Sequence, residues 1–363
     1  MKEKTFLIGF LMVLILGFNA FAAGTAEKIG NLLAESYKKG EYSGALIVAR
    51  GEKIIYRGAI GLAQREWTVP NTAATRFRIN SITKQFTALL IMRLVEEGKI
   101  SLDGRISDYL PDFPKATGEK VTVKNLLMNA SGLPLLEDIA FYRTADPRFA
   151  DPGYVIKNYL SGGLISEPGA RFNYNNGDFI ILGAIIERVS GKSFRQVLEE
   201  KILKPLGMKN TGLVESQAVI ENLADGYVFR DDKFYREPFF SIENYGAAGA
   251  MYSTLDDMFL WNKALIGNKL LSKESTAKMF TPAPELGFVG LGSWVYDLKL
   301  KDGKTYKIIE RQGGIGGFSS LNLFAPEAEL SVIFLGNVGT ETLFRTYAGQ
   351  GLSYQVISAA VED

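Results

Sequence analysis

The stretch Phe77-Arg78-Ile79-Asn80-Ser81-Ile82-Thr83-Lys84-Gln85-Phe86 sets a cluster of polar side chains at the head of a long apolar run. Phe86, Leu89, Leu90, Met92, Leu94 and Val95 recur at helical spacing, no proline interrupts them, and Glu96, Glu97 and Gly98 close the segment. The pattern predicts a helix with Ser81 in its first turn. Three residues along a helix return a side chain to the same face, so the Lys84 amine comes within hydrogen-bonding reach of the Ser81 hydroxyl. A hydroxyl is a poor nucleophile until a base takes its proton. A lysine pressed against an apolar helix loses its charge more easily, and the positive end of the helix favours an oxyanion beside Ser81. Ser81 is therefore a candidate nucleophile and Lys84 its candidate base. The same residues also suit a helix-capping serine followed by a solvated lysine.

The S-x-x-K tetrapeptide occurs three times, at Ser36/Lys39, Ser81/Lys84 and Ser275/Lys278. The first closes an amphipathic helix before Gly40, where lysines suit the helix terminus, and the third lies in a charged helix start. Only Ser81 leads into an apolar helix.

The chain has 363 residues, 47% hydrophobic and 22% charged, enough for a large core and, by length, two lobes. A net charge of +1 and a pI near 7.7 leave no electrostatic footprint for nucleic acid or an anionic membrane. There is no cysteine and no histidine. Disulfides, thiol catalysis, histidine-based metal sites and any Ser-His-Asp triad are excluded. No G-x-S-x-G elbow occurs either. No cofactor or metal is expected, and a hydrolase built from this chain must take its base from lysine, tyrosine or a carboxylate.

Residues 1–22 have the pattern of a signal peptide: Lys2 and Lys4, an almost wholly apolar Phe6 to Phe18, then Ala20-Phe21-Ala22 as a small-residue cleavage site. The apolar segment is short for a membrane span and no cysteine follows to carry lipid. A periplasmic or secreted protein is expected, with membrane contact only if the segment stays uncleaved.

A helix from about Ala26 to Lys39 precedes a hairpin of Ala45 to Ala49 and Ile54 to Ala59. From Leu102 the texture turns to loops and short helices, including Val123 to Met128, the Ser131-Gly132-Leu133-Pro134 loop and a helix from about Asp178 to Val189 that stops at Gly191. Strands return at Trp294 to Leu300, Tyr306 to Glu310, Phe318 to Phe324 and Leu330 to Leu335, before a last helix around Thr342 to Ala360. Sheet at both ends with helix between predicts an α/β (α+β) domain over 23–363. Its sheet lobe takes about 23–80 and 285–363, and a mostly helical lobe takes about 100–284. No repeat or linker divides it.

A second polar cluster, Phe172-Asn173-Tyr174-Asn175-Asn176-Gly177, stands before the Asp178 helix. As local structure it is a turn and cap. A phenol with pKa near 10 becomes a usable base only beside cations, and Lys84 with another positive group could supply that field. A third cluster, Arg311-Gln312-Gly313-Gly314-Ile315-Gly316-Gly317, is placed between two strands as a loop. Its glycines allow close approach of a ligand to backbone N–H groups. It leads into a strand and not a helix, which argues against dinucleotide binding.

Taken in order, Ser81 to Lys84, Tyr174 to Asn176 and Arg311 to Gly313 resemble the S-x-x-K, Y-x-N and K-x-G or H-x-G motifs of the penicillin-recognising serine hydrolases, in the class C β-lactamase, D,D-peptidase and esterase branch. The resemblance covers roughly Ala26 to the C terminus. Supporting phrases are Ser131-Gly132-Leu133-Pro134, Gly249-Ala250-Met251-Tyr252-Ser253-Thr254 and Gly317-Phe318-Ser319-Ser320. It implies a β-lactamase/transpeptidase-like fold, with an antiparallel sheet flanked by helices plus an all-α lobe, and a small-molecule or peptide substrate cleaved through an acyl-enzyme. It also implies that Ser81 is acylated, that Lys84 is its proton partner and that Tyr174 is base and then acid. Asn176 would orient lysine and substrate, with an oxyanion hole from the N–H groups of Ser81 and Gly314. Arg311 departs from the usual Lys or His, and suits two-pronged carboxylate binding. The aromatic run Tyr227, Phe229, Phe234, Tyr235, Phe239, Phe240 and Tyr245 suits either an acyl pocket or ordinary packing.

Overall fold

Continuous burial on both faces of three strands, at 44–50, 318–325 and 330–336, places one sheet at the centre of the protein. The computed structural model describes residues 20–136, 146–215 and 217–362. The expected signal segment lies almost wholly outside them. Helix α1 (Ala20–Lys38) is followed by strands β1 (Gly44–Arg50) and β2 (Lys53–Ile60), and helix α2 (Thr83–Glu96) by α3 (Asn176–Ser190) and α4 (Leu255–Ile266). Strands β3 (Trp294–Lys299), β4 (Thr305–Ile315), β5 (Phe318–Ala325) and β6 (Leu330–Gly336) come next, and α5 (Gly351–Val361) closes the chain. The sheet order is β3-β4-β5-β6-β1-β2, antiparallel at every pair.

Successive residues of β1 and β6 serve opposite cores. Leu46, Val48, Val332 and Phe334 pack with Ile29, Leu33, Val356 and Ile357 of α1 and α5, whereas Ala45, Ile47, Ile333 and Leu335 belong to the core around α2 and α3. Burial on both faces explains why these strands read as continuous apolar runs. The α2 side is fixed by Phe86, whose ring stacks on Trp261 of α4 with centroids 3.9 Å apart. Helix α2 ends where Gly98 takes a left-handed φ of 69°, and α3 ends the same way at Gly191, φ 68°. No helix among the described residues is long and apolar enough to cross a membrane.

Two expectations are corrected. The Arg311 to Gly314 run is not a loop between strands: β4 continues through it to Ile315, in register with Asn322, Leu321, Ser320 and Ser319 of β5. Glycines weaken an isolated strand, but a Cβ at Gly313 would lie 2.1 Å from the Ile79 carbonyl oxygen, so close docking requires glycine there. The final helix does not run unbroken from Thr342. Short 3₁₀ turns at Thr342–Phe344 and Thr346–Ala348 precede α5, and Gly349 and Gly351 take φ of 68° and 81°. A Cβ at Gly351 would meet the Thr342 carbonyl at 2.1 Å.

Candidate active site

Ser81 sits in a 3₁₀ turn, Asn80–Ile82, that runs directly into α2. Asn80 before it takes a left-handed φ of 49°, a conformation that asparagine tolerates better than most residue types. The backbone on either side is braced by the 247–251 segment. Ile79 N–H donates to the Met251 carbonyl, Thr83 Oγ1 accepts from Met251 N–H, and Thr87 Oγ1 donates to the Ala247 carbonyl at 2.6 Å.

The second motif is held by α3. Asn175 caps that helix by accepting from Gly177 N–H at 2.8 Å, which leaves Asn176 as its first residue. Beneath it the buried Asp178 carboxylate accepts from Ser131 Oγ at 2.6 Å and from Asn129 Nδ2 at 3.1 Å. Asn129 also receives Asn173 N–H on its carbonyl. The Ser131-Gly132-Leu133-Pro134 phrase thus supports the Tyr174 loop and not the nucleophile itself.

These elements bring Ser81, Lys84, Tyr174, Asn176 and Arg311 together. Tyr174 Oη lies 2.6 Å from Ser81 Oγ, and Lys84 Nζ lies 3.2 Å from the same oxygen. Lys84 is fully buried and also donates to Asn176 Oδ1 at 2.5 Å and to the Ala248 carbonyl at 2.7 Å. Both of those oxygens only accept from it, so two of its hydrogens are committed away from Ser81. Tyr174, the nearer group, is therefore better placed than Lys84 to take the serine proton.

Arg311 reaches the cluster from β4. Its Nε donates to the Ser81 carbonyl at 3.0 Å and its Nη2 to Tyr174 Oη at 3.2 Å. The guanidinium lies over the rings of Trp294 and Tyr174, 4.7 Å and 5.4 Å from their centroids. Burial pushes the Tyr174 phenol up, but the charges of Lys84 and Arg311, with hydrogen bonds from Lys84 and Ser81, outweigh it and hold the phenol below its ordinary value. Arg311 thus commits Nε to Ser81 and one Nη2 hydrogen to Tyr174, which leaves the Nη1 end of the guanidinium as the part able to meet a substrate.

The pairing of β3 with β4 ends at Trp294 and Glu310, so residues 311–315 are hydrogen-bonded to β5 on one side and leave the other edge open. Gly313 is pressed against Ile79 and Ser81, and Gly314 is exposed on that edge. A cavity of about 880 Å³ lined by Phe288, Trp294, Tyr296, Gln312 and Tyr347 adjoins it. A match to the Beta-lactamase family extends over residues 26–351. This chain belongs to the beta-lactamase family. PbpX of Bacillus subtilis, which carries the name of a penicillin-binding protein, is 29% identical over 312 residues, 86% of this chain and 74% of that one. A penicillin-binding protein structure from Bacillus halodurans matches with TM-score 0.76 at 28% identity, covering 92% of this chain and 98% of that one. The D-stereospecific amidohydrolase of a Streptomyces species matches with the same TM-score at 26% identity and the same coverage. As a member of the beta-lactamase family the protein is a serine hydrolase of the acyl-enzyme type.

Sequence reasoning missed the Ala248 carbonyl, because a backbone acceptor leaves no residue signal, and Trp294, which reads as one more strand aromatic. The aromatic run divides: Tyr227 and Tyr245 are buried, Phe229 packs on Phe234 and Phe239 is exposed. Phe240 lies over Arg78, and Tyr245 packs on Phe240 and on Gly249 beside the Ala248 carbonyl.

Proposed function

We propose that Ser81 is the acylated nucleophile of a hydrolase for amide or ester bonds, with Tyr174 as its base. The observation that carries this is the 2.6 Å contact between Tyr174 Oη and Ser81 Oγ beside two buried cations. Tyr174 takes the Ser81 proton as Oγ adds to the substrate carbonyl. The N–H groups of Ser81 and Gly314 receive the oxyanion, and Tyr174 returns the proton to the leaving group. Water then repeats the sequence to release the acid. Lys84 and Arg311 supply the field that favours the phenolate, Asn176 holds Lys84, and Gly313 lets β4 approach Ser81. No step draws on a cofactor. The working unit is residues 23–363, exported and freed of residues 1–22.

Substrates lacking a carboxylate beside the scissile bond, such as D-amino acid amides and simple esters, fit best. Support comes from the Streptomyces relative, whose name describes a D-stereospecific amidohydrolase. Intact mass after a fluorophosphonate or a labelled penicillin is expected to show one adduct on Ser81. An adduct that persists in Ser81→Ala overturns the assignment. A panel of p-nitrophenyl esters, D-amino acid amides, D-Ala-D-Ala peptides and nitrocefin then tests the substrate class; a kcat/KM highest for nitrocefin or the D-Ala-D-Ala peptides overturns that part.

A further inference from the structure

Two chain segments supply the N–H groups assigned to the oxyanion hole, the approach to Ser81 and the end of β4, and one carboxylate touches both. Glu237 follows the Lys233–Arg236 strand of a small hairpin. Both of its oxygens accept from Nη2 of Arg78, three residues before Ser81. The same carboxylate accepts the N–H of Gly317, in the turn just after Gly314, at 2.7 Å. Glu237 is anchored in turn by its own N–H, which donates to the Gly226 carbonyl at 3.0 Å.

The fit leaves no slack. A Cβ on Gly316 would stand 2.3 Å from Glu237 Oε2, and one on Gly317 would stand 2.2 Å from Tyr227 N. Arg78 lies between the rings of Phe318 and Phe240, at 4.2 Å and 5.1 Å from their centroids. The side chains of Arg78 and Glu237 are only 10% and 15% exposed, so the pair is held in place and poorly screened. Neither residue reaches Ser81 Oγ, Lys84 or Tyr174 by any described hydrogen bond.

We infer that Glu237 is a positioning residue for the oxyanion hole, setting the separation of the Ser81 and Gly314 N–H groups by clamping Arg78 to Gly317. This rests on the assignment of those two N–H groups as the oxyanion donors. A clamp of this kind acts on the tetrahedral state and not on ground-state binding. Glu237→Gln keeps the size but removes the charge that Arg78 requires. Its kcat is expected to fall by about tenfold to a hundredfold with KM nearly unchanged, the scale for a small misplacement of catalytic groups.

The deciding measurement is the Ki of a phenylboronic acid, with active sites counted by fluorophosphonate titration. Ser81 Oγ adds to boron, its proton goes to Tyr174, and the resulting tetrahedral boronate places an oxygen where the oxyanion forms. The clamp predicts that Ki rises by the same factor by which kcat falls. A mere loss of folded protein lowers the titrated sites and leaves Ki alone. If Glu237→Gln does not fold, Arg78→Met/Glu237→Leu removes the buried charges together and is expected to show the same paired loss. Wild-type kcat and Ki in a folded variant overturn the clamp, and a wild type that forms no adduct on Ser81 overturns the clamp and the active-site assignment together.

Discussion

Ser81 and Ser275 each precede a lysine by three residues on a helix, yet the two regions share no chemistry. Around Ser81 the lysine is fully buried, and groups from α3, from the 247–251 segment and from β4 converge on it or on the serine. Around Ser275 the serine hydroxyl faces a carboxylate, Glu96 of α2, while Ser275 N–H is capped by Ser272 and Lys278 reaches back to Glu274 at 3.4 Å with both of those charged side chains mostly exposed. Ser36 behaves like Ser275, its hydroxyl facing Glu41 within the same local segment. The same spacing occurs in all three, but at Ser81 the lysine amine meets the serine hydroxyl, and groups from α3, from the 247–251 segment and from β4 meet the pair.

That contrast is open to graded tests. Ser81→Ala is expected to abolish the adduct and reduce turnover by about 10⁴-fold or more, the scale for a lost nucleophile, while Ser275→Ala leaves both at wild-type values; equal losses in the two variants would erase the distinction. Tyr174→Phe keeps the ring and removes the base, so kcat is expected to fall by about 10²-fold or more with the circular dichroism spectrum unchanged. Unchanged turnover would return Tyr174 to loop packing.

Arg311 gives a pH signature whose sign follows from its place beside Tyr174. The phenol works as a base only when deprotonated; burial opposes that form, and the Lys84 and Arg311 charges restore it. Removing one charge in Arg311→Met lets the phenol's pKa climb, so the acid limb of kcat/KM moves to higher pH and activity near neutrality falls by about tenfold per unit moved. Arg311→Lys keeps the charge and is expected to hold the limb in place with a smaller loss, expressed mainly in kcat because Nε and Nη2 serve Ser81 and Tyr174. Identical profiles for all three proteins would detach Arg311 from the base. The smallest effect belongs to the exposed counterpart: Lys278→Met is expected to leave kcat unchanged and stability within about 0.5 kcal/mol in urea titrations.

The sheet and the two helices bearing the first two motifs were legible because their signals are local. Leu46, Val48, Val332 and Phe334 announce strands by apolar content, and Gly98 and Gly191 mark helix ends. Strand β4 was cut short because two adjacent glycines resemble a loop until the Ile79 carbonyl that forbids a side chain is in view. Arg311 was visible as a departure from the resembled motif, but its partners were not, since nothing in the chain near residue 311 says that the Ser81 carbonyl and the Tyr174 phenol lie within 3.0 Å and 3.2 Å. Glu237 was passed over inside an aromatic run for the same reason.

The missing side chain at Gly313 has a further consequence for heat. Side-chain rotamers exchange within nanoseconds, so a cleft whose width they govern loosens gradually on warming. Here the closest approach of β4 to the Ser81 turn is limited by backbone against backbone, a stop with no rotamers to exchange, and the Glu237 clamp limits how far the two can part. The cleft keeps its width for as long as the sheet stays docked on the turn before α2, and catalytic decline on heating follows the cooperative loss of that docking and not a softening that precedes it.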